Sequence, residues 1–180
     1  MKNLKDIILE RLHINKDIKS YNYHPKTADE LQELVDKLVK ERGNEADLND
    51  IDTSEITDMD ELFYNSDFNG DISEWDVSNV ESMNSMFYRS KFTGENGGIS
   101  QWDVSNVESM SFMFTLTSFN GDISNWDVSN VKHMNSMFAQ SKFTNENGDI
   151  SNWDVSKVIN MHFMFNGTPL EKNPPKWYKE

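Results

Sequence analysis

A tryptophan recurs along this chain, at Trp75, Trp102, Trp126, Trp153 and Trp177, and Ile51 holds the same place in a degenerate first copy. The steps from residue 51 are 24, 27, 24, 27 and 24 residues. A fixed period of this length marks a chain of stacked units, each of which contacts only its neighbours. Such a chain cannot have a conventional layered core. Its interior has to be made of the same few positions, repeated.

Aligning the copies gives I-S-x-W-D-V-S-x-V-x-x-M-x-x-M-F. In the second coil these positions are Ile72, Ser73, Trp75, Asp76, Val77, Ser78, Val80, Met83, Met86 and Phe87. The apolar spacing approximates the leucine-rich-repeat scheme. It predicts an α/β fold: a leucine-rich-repeat-like solenoid of about five 24/27-residue coils, each a short parallel strand plus a short helix, with an N-terminal helical cap. On that reading Trp75 and Val77 point inward from a strand and Asp76 points out. Ser78 with Glu81, and Ser105 with Glu108, read as capping boxes opening short helices. Met83, Met86 and Phe87 then share a helical face, as do Met110 and Met113, Met134 and Met137, and Met161 and Met164. Asn69-Gly70, Asn96-Gly97, Asn120-Gly121 and Asn147-Gly148 read as turns that use positive φ.

The alternating steps point to a 51-residue unit of two coils. The second and fourth coils carry a three-residue extension, within Thr93–Gly98 and Thr144–Asp149, and share N-S-M-F at Asn84–Phe87 and Asn135–Phe138. The third and fifth share F-M-F instead, at Phe112–Phe114 and Phe163–Phe165. The extension is expected to bulge from alternate coils.

Three segments follow. Residues 1–47 read as an N-terminal cap, 48–169 as the repeats and 170–180 as a closing segment. Within the cap, Leu4, Ile7, Ile8 and Leu12 make an amphipathic stripe over 3–12, suited to packing on the body or docking into a partner groove. Tyr21–His24 alternates like an edge strand and stops at Pro25. Thr27 and Glu30 open a helix with Leu31, Leu34, Val35, Leu38 and Val39 on one face, ending at Gly43. At the other end Pro174-Pro175 replaces Ile-Ser of the motif, and proline has no N–H to donate to a ladder.

Composition narrows the function classes. There is no cysteine, which removes disulfides and thiolate zinc sites. The net charge is −14, the wrong sign for a nucleic-acid backbone. That charge is uneven. Across 51–131 the acids are opposed by only Arg89 and Lys91, whereas 132–180 holds five acids and six lysines. No apolar run approaches membrane-spanning length, and the N-terminus lacks the pattern of a secretory signal. The expectation is a cytoplasmic protein without membrane insertion.

The string N-G-D-I-S-x-W-D-V-S-N-V-x-x-M-x-x-M-F resembles the repeat of BspA-type leucine-rich-repeat surface proteins of host-associated bacteria, over about 48–165. The resemblance implies a leucine-rich-repeat-like solenoid presenting a surface to other macromolecules, often host proteins. Trp75, Trp102, Trp126 and Trp153 match its structural core. It supplies no catalytic residue. Unlike the usual family pattern, this chain shows no lipobox cysteine or surface anchor, so a surface location rests on family analogy alone.

Among candidate sites the strongest is the series Asp76, Asp103, Asp127 and Asp154. In a parallel stack these carboxylates would recur about every 4.8 Å. Two explanations stand beside each other. Each Asp can accept the N–H of the Ser two residues on, as an Asx turn, or the row can bind a basic partner or a calcium ion. Asp67–Ser73 lacks the spacing of an acidic calcium loop. His13, His24, His133 and His162 occupy no equivalent positions, and abundant serines make any catalytic triad arbitrary. The expectation is therefore no metal, no cofactor and no enzyme. The chain reads as a repeat scaffold that binds a protein, with Asp76, Asp103, Asp127 and Asp154 as partner-binding residues. The alternative is an assembly component, docked through its N-terminus and open to homo-oligomerisation.

Overall fold

The computed structural model describes residues 20–179. The amphipathic stretch at 3–12, and His13 with it, lie outside the described residues. Among the described residues one α-helix forms, α1 over Ala28–Arg42, and one short 3-10 helix over Ile150–Asn152. Thr27 caps α1 by accepting the Glu30 N–H at 3.2 Å, while the Glu30 carboxylate accepts the Lys26 N–H at 2.6 Å. Leu31, Val35 and Leu38 bury one face of it, and Gly43 closes it at φ 93. Arg42 ties its end to the first coil through a two-pronged contact with Asp50, at 2.9 Å on each arm.

The expected α/β architecture of strand-plus-helix coils is not what the chain forms. Among the described residues the coils contain no strand, and the repeats contain no α-helix. Among the described residues parallel pairing is limited to single bridges, of which four link Asp58, Ser82, Ser109, His133 and Asn160 in series. Tyr21–His24 likewise makes one bridge, Tyr23 to Ile51, rather than an edge strand. The repeats are built of turns, so leucine-rich-repeat coils are the wrong description.

The reason lies in where the N–H groups go. In the presumed strand, the Trp75 N–H closes a turn on the Ile72 carbonyl at 3.2 Å, and the Val80 N–H closes another on Val77 at 2.9 Å. Between them Asp76 captures the Ser78 N–H, so Ser78 is a turn residue and not a helix cap. The Glu81 N–H turns away to the Thr57 carbonyl of the preceding coil. The N–H groups of Trp75, Ser78, Val80 and Glu81 are thus engaged in turns and with the preceding coil, and none of them joins a strand ladder.

The presumed helix fails differently. Ser85 and Arg89 lie in the left-handed region, at φ 55 and 54, and the pair recurs at Glu61 and Asn65, Phe112 and Leu116, Ser136 and Gln140, and Phe163 and Gly167. Left-handed residues four apart cannot continue a helix. Instead the N–H groups alternate. Those of Met86, Tyr88 and Ser90 close local turns on Met83, Ser85 and Phe87, while those of Met83, Ser85, Phe87 and Arg89 donate to Ser109, Ser111, Met113 and Thr115 of the next coil. The result is a zigzag of turns stitched to its neighbour.

The interior repeats as the coils do. Phe63, Phe87, Phe114, Phe138 and Phe165 stack face to face with centroids 5.5–5.8 Å apart. A second phenylalanine in each of the first four coils stacks within its own coil, as Phe87 does on Phe92 at 4.3 Å. Offset aromatic stacking of this kind adds to the area buried. The methionines of the motif fill the space beside these rings, and Met83, Met86, Met110, Met113, Met134 and Met137 are fully buried.

The Asn-Gly pairs also differ from expectation. Their glycines do not adopt positive φ. They are glycine for lack of room. A Cβ on Gly70 would lie 2.0 Å from the Ala46 carbonyl oxygen, and one on Gly148 would lie 2.0 Å from Asp122 Oδ1. Adjacent coils approach each other there too closely for a side chain.

Candidate interaction face

Each tryptophan of the repeat is buried and also hydrogen-bonded. The indole N–H of Trp75 reaches the Leu48 carbonyl at 3.0 Å, and those of Trp102, Trp126 and Trp153 reach Ile72, Ile99 and Ile123 at 3.2, 3.0 and 3.3 Å. The donor of each coil therefore satisfies an acceptor of the coil before it. Trp177 repeats the contact on Ile150 at 2.9 Å, although the closing segment leaves it only half-buried.

These inward tryptophans set the direction of the next residue. Asp76, Asp103, Asp127 and Asp154 are all exposed. Each accepts the N–H of the Ser two residues on, at 3.0–3.1 Å. Hydrogen bonds from Ser129, side chain first, hold the Asp127 carboxyl below its ordinary range, and the nearby Asp154 charge opposes the shift. Asp154 is lowered chiefly by the Ser156 N–H. Asp71, Asp122 and Asp149 form a second set of the same turn one step earlier in the motif, and Gly98 leaves it vacant in the third coil.

Beside the Asp row runs a feature that sequence reading passed over. The Asn79 side chain donates to the Ser54 carbonyl at 2.8 Å, Asn106 to Ser78 at 2.7 Å and Asn130 to Ser105 at 2.7 Å. In the fifth coil Lys157 takes the place of Asn and bonds Asn130 Oδ1 at 2.6 Å. The S-N pair inside W-D-V-S-N-V was the available signal, because a recurrent Asn in a turn can bridge to a neighbouring backbone. These bonds fix the surface from which the carboxylates project.

Other polar groups do not converge. His24 meets Asp52 at 3.1 Å near the N-terminal end, and His133 and His162 sit on separate coils. Among the described residues no three His, Asp or Glu groups lie close enough to share a metal ion. The Asp67–Ser73 loop places Asp71 in a turn with Ser73 at 2.9 Å. Among the described residues no helix is long and apolar enough to cross a membrane.

Residues 29–142, and again 90–179, match a family described as Mycoplasma protein of unknown function, DUF285. The chain belongs to this family. The two matched stretches overlap over 90–142, as a pattern of repeated coils allows. No curated protein and no solved structure matches the chain. Within the DUF285 match lie all four aspartates and their tryptophans.

Proposed function

We propose that this DUF285 protein is a non-enzymatic scaffold that binds a basic segment of another protein along Asp76, Asp103, Asp127 and Asp154. The observation that carries the reading is the identity of those residues. The turn at each position needs only a side-chain oxygen, which Asn supplies as well as Asp. Four carboxylates in four places add a charge that the turn does not require. Like charges repeated in a row repel, and an oppositely charged partner relieves that repulsion while being steered to the face.

The resemblance to BspA-type repeat proteins supports the same reading, since those proteins present their repeats to other macromolecules. The test pairs capture with kinetics. Partners captured from the native source by the full chain are compared with those captured by Asp76→Asn/Asp103→Asn. The double variant keeps both turns and loses two charges. Association of the captured partner should slow most at low salt, with the fold intact. Unchanged capture by the double variant, together with loss of capture on deleting residues 1–20, would place binding at the N-terminus instead.

A further inference from the structure

The two ends of the stack are finished differently. In the third coil the N–H groups of Met110, Phe112, Phe114 and Leu116 donate to His133, Asn135, Met137 and Ala139 of the fourth, at 2.8–2.9 Å. The equivalent groups of the fifth coil belong to Met161, Phe163, Phe165 and Gly167. Among the described residues they donate to nothing. Their neighbours Met164, Asn166 and Thr168 still close the local turns. The last edge therefore offers donors, all in a row, with its carbonyls already engaged.

The apolar side chains beneath that edge are also uncovered. Val77, Val80 and Met83 are buried to within 1% in the second coil, as are their counterparts in the third and fourth. In the fifth coil Val155, Val158 and Met161 are only partly buried. At its rim Ile159 is 75% and Phe163 58% exposed. The closing segment covers the other half, where Trp177 stacks on Trp153 with centroids 6.2 Å apart.

We propose that this edge docks a coil of the same repeat type carried by another polypeptide, which continues the stack. Three features select that occupant. Two donor rows cannot pair, so a second copy of this same end does not fit. The matching acceptors of this chain, the carbonyls of Asp58, Asp60, Leu62 and Tyr64, are likewise unbonded among the described residues. However, α1 lies against that end, separated from Glu61–Ser66 by a cleft of about 260 Å³, and blocks head-to-tail addition of another copy. A flat strand does not follow an edge with a left-handed residue every four positions, whereas an M-x-x-M-F zigzag does so at each junction inside the molecule. The fifth coil is the 51-residue equivalent of the third, and Lys132–Gln140 is what covers the third. The partner segment should resemble it: an acceptor row of main-chain carbonyls with apolar side chains facing Val158 and Met161. This docking mode is β-augmentation adapted to a turn-built edge, and it is independent of the acidic row.

The test supplies such a coil at high effective concentration. The full chain is extended past Glu180 by a flexible Gly-Ser linker and a second copy of residues 121–147. Amide hydrogen exchange is then read by NMR at Met161, Phe163, Phe165 and Gly167. Protection of these four should rise by at least about 100-fold, the scale of a stable local closure. It should not rise when the appended copy carries Met134→Asp and Phe138→Asp. Unchanged exchange with the intact extension would overturn the proposal. So would amides already protected in the unextended chain, since the edge would then be occupied by the protein itself. Sedimentation of Phe163→Ser, which installs the residue of the second and fourth coils, identifies a second copy as that occupant if self-association is lost.

Discussion

The indole N–H of Trp126 donates to the main-chain carbonyl of Ile99, 3.0 Å away and 27 residues earlier. One side chain thus fills the interior and binds two coils together. Trp126→Ala should cost about 3–5 kcal/mol, the usual range for a buried aromatic. Trp177→Ala should cost clearly less, because that ring is half-buried at the closing end. Trp126→Phe removes the indole donor and part of the ring, while the Ile99 carbonyl keeps the Trp102 N–H at 3.2 Å, so it should cost less than Trp126→Ala, about 1–3 kcal/mol. Urea unfolding of the three variants measures all of this. Equal losses at Trp126 and Trp177 would contradict the packing described.

Ser136 occupies a left-handed position at φ 55. Ser136→Gly should therefore leave stability unchanged or raise it by up to about 1 kcal/mol, since glycine adopts this conformation without strain. Ser136→Val should lower it by more than about 1 kcal/mol. A helix would give the opposite sign for glycine, with a loss of about 1 kcal/mol. Thermal or urea melts of the pair decide between the two conformations.

Gly70 and Gly98 separate space from conformation. A Cβ at Gly70 meets the Ala46 carbonyl oxygen at 2.0 Å, whereas one at Gly98 meets nothing within 4 Å. Gly70→Ala should destabilise by about 1–3 kcal/mol, the range for forced overpacking. Gly98→Ala should be silent. If both substitutions are tolerated, the coils are not packed as closely as they stand here.

Acid should weaken the fold in a defined direction. Asp50 is lowered chiefly by its hydrogen bond from Arg42, Asp52 by the Ser54 side chain, and Asp127 by Ser129. A carboxylate with a depressed folded-state pKa contributes stability above its unfolded value, about 3.9. That stability is lost as pH falls through the lower folded value. Replacing Asp50 by Asn should therefore reduce stability at neutral pH and flatten the acid limb of the pH profile. An acid limb identical to wild type would remove the Arg42 contact from the account.

The helix α1 was legible because its signals are local. Thr27 and Gly43 bound it, and Leu31, Val35 and Leu38 fall on one turn-to-turn face. The outward direction of Asp76 followed from its place between two large apolar residues. The C-terminal donor row was not legible, because it is defined by acceptors that are missing from another part of the structure.

The sequence by itself determined the period of 24 and 27 residues, the pairing of coils into a 51-residue unit and the identity of the interior side chains. Those depend on which residues are apolar and how often they return. Tertiary structure alone decided what Met83–Phe87 becomes. Apolar residues at i, i+3 and i+4 suit one face of a helix and also the inner side of two consecutive turns. The choice depends on where alternate N–H groups find acceptors. Here they find them on the carbonyls of Ser109, Ser111 and Met113 in the next coil, and a local reading of five residues contains no information about carbonyls 26 positions away.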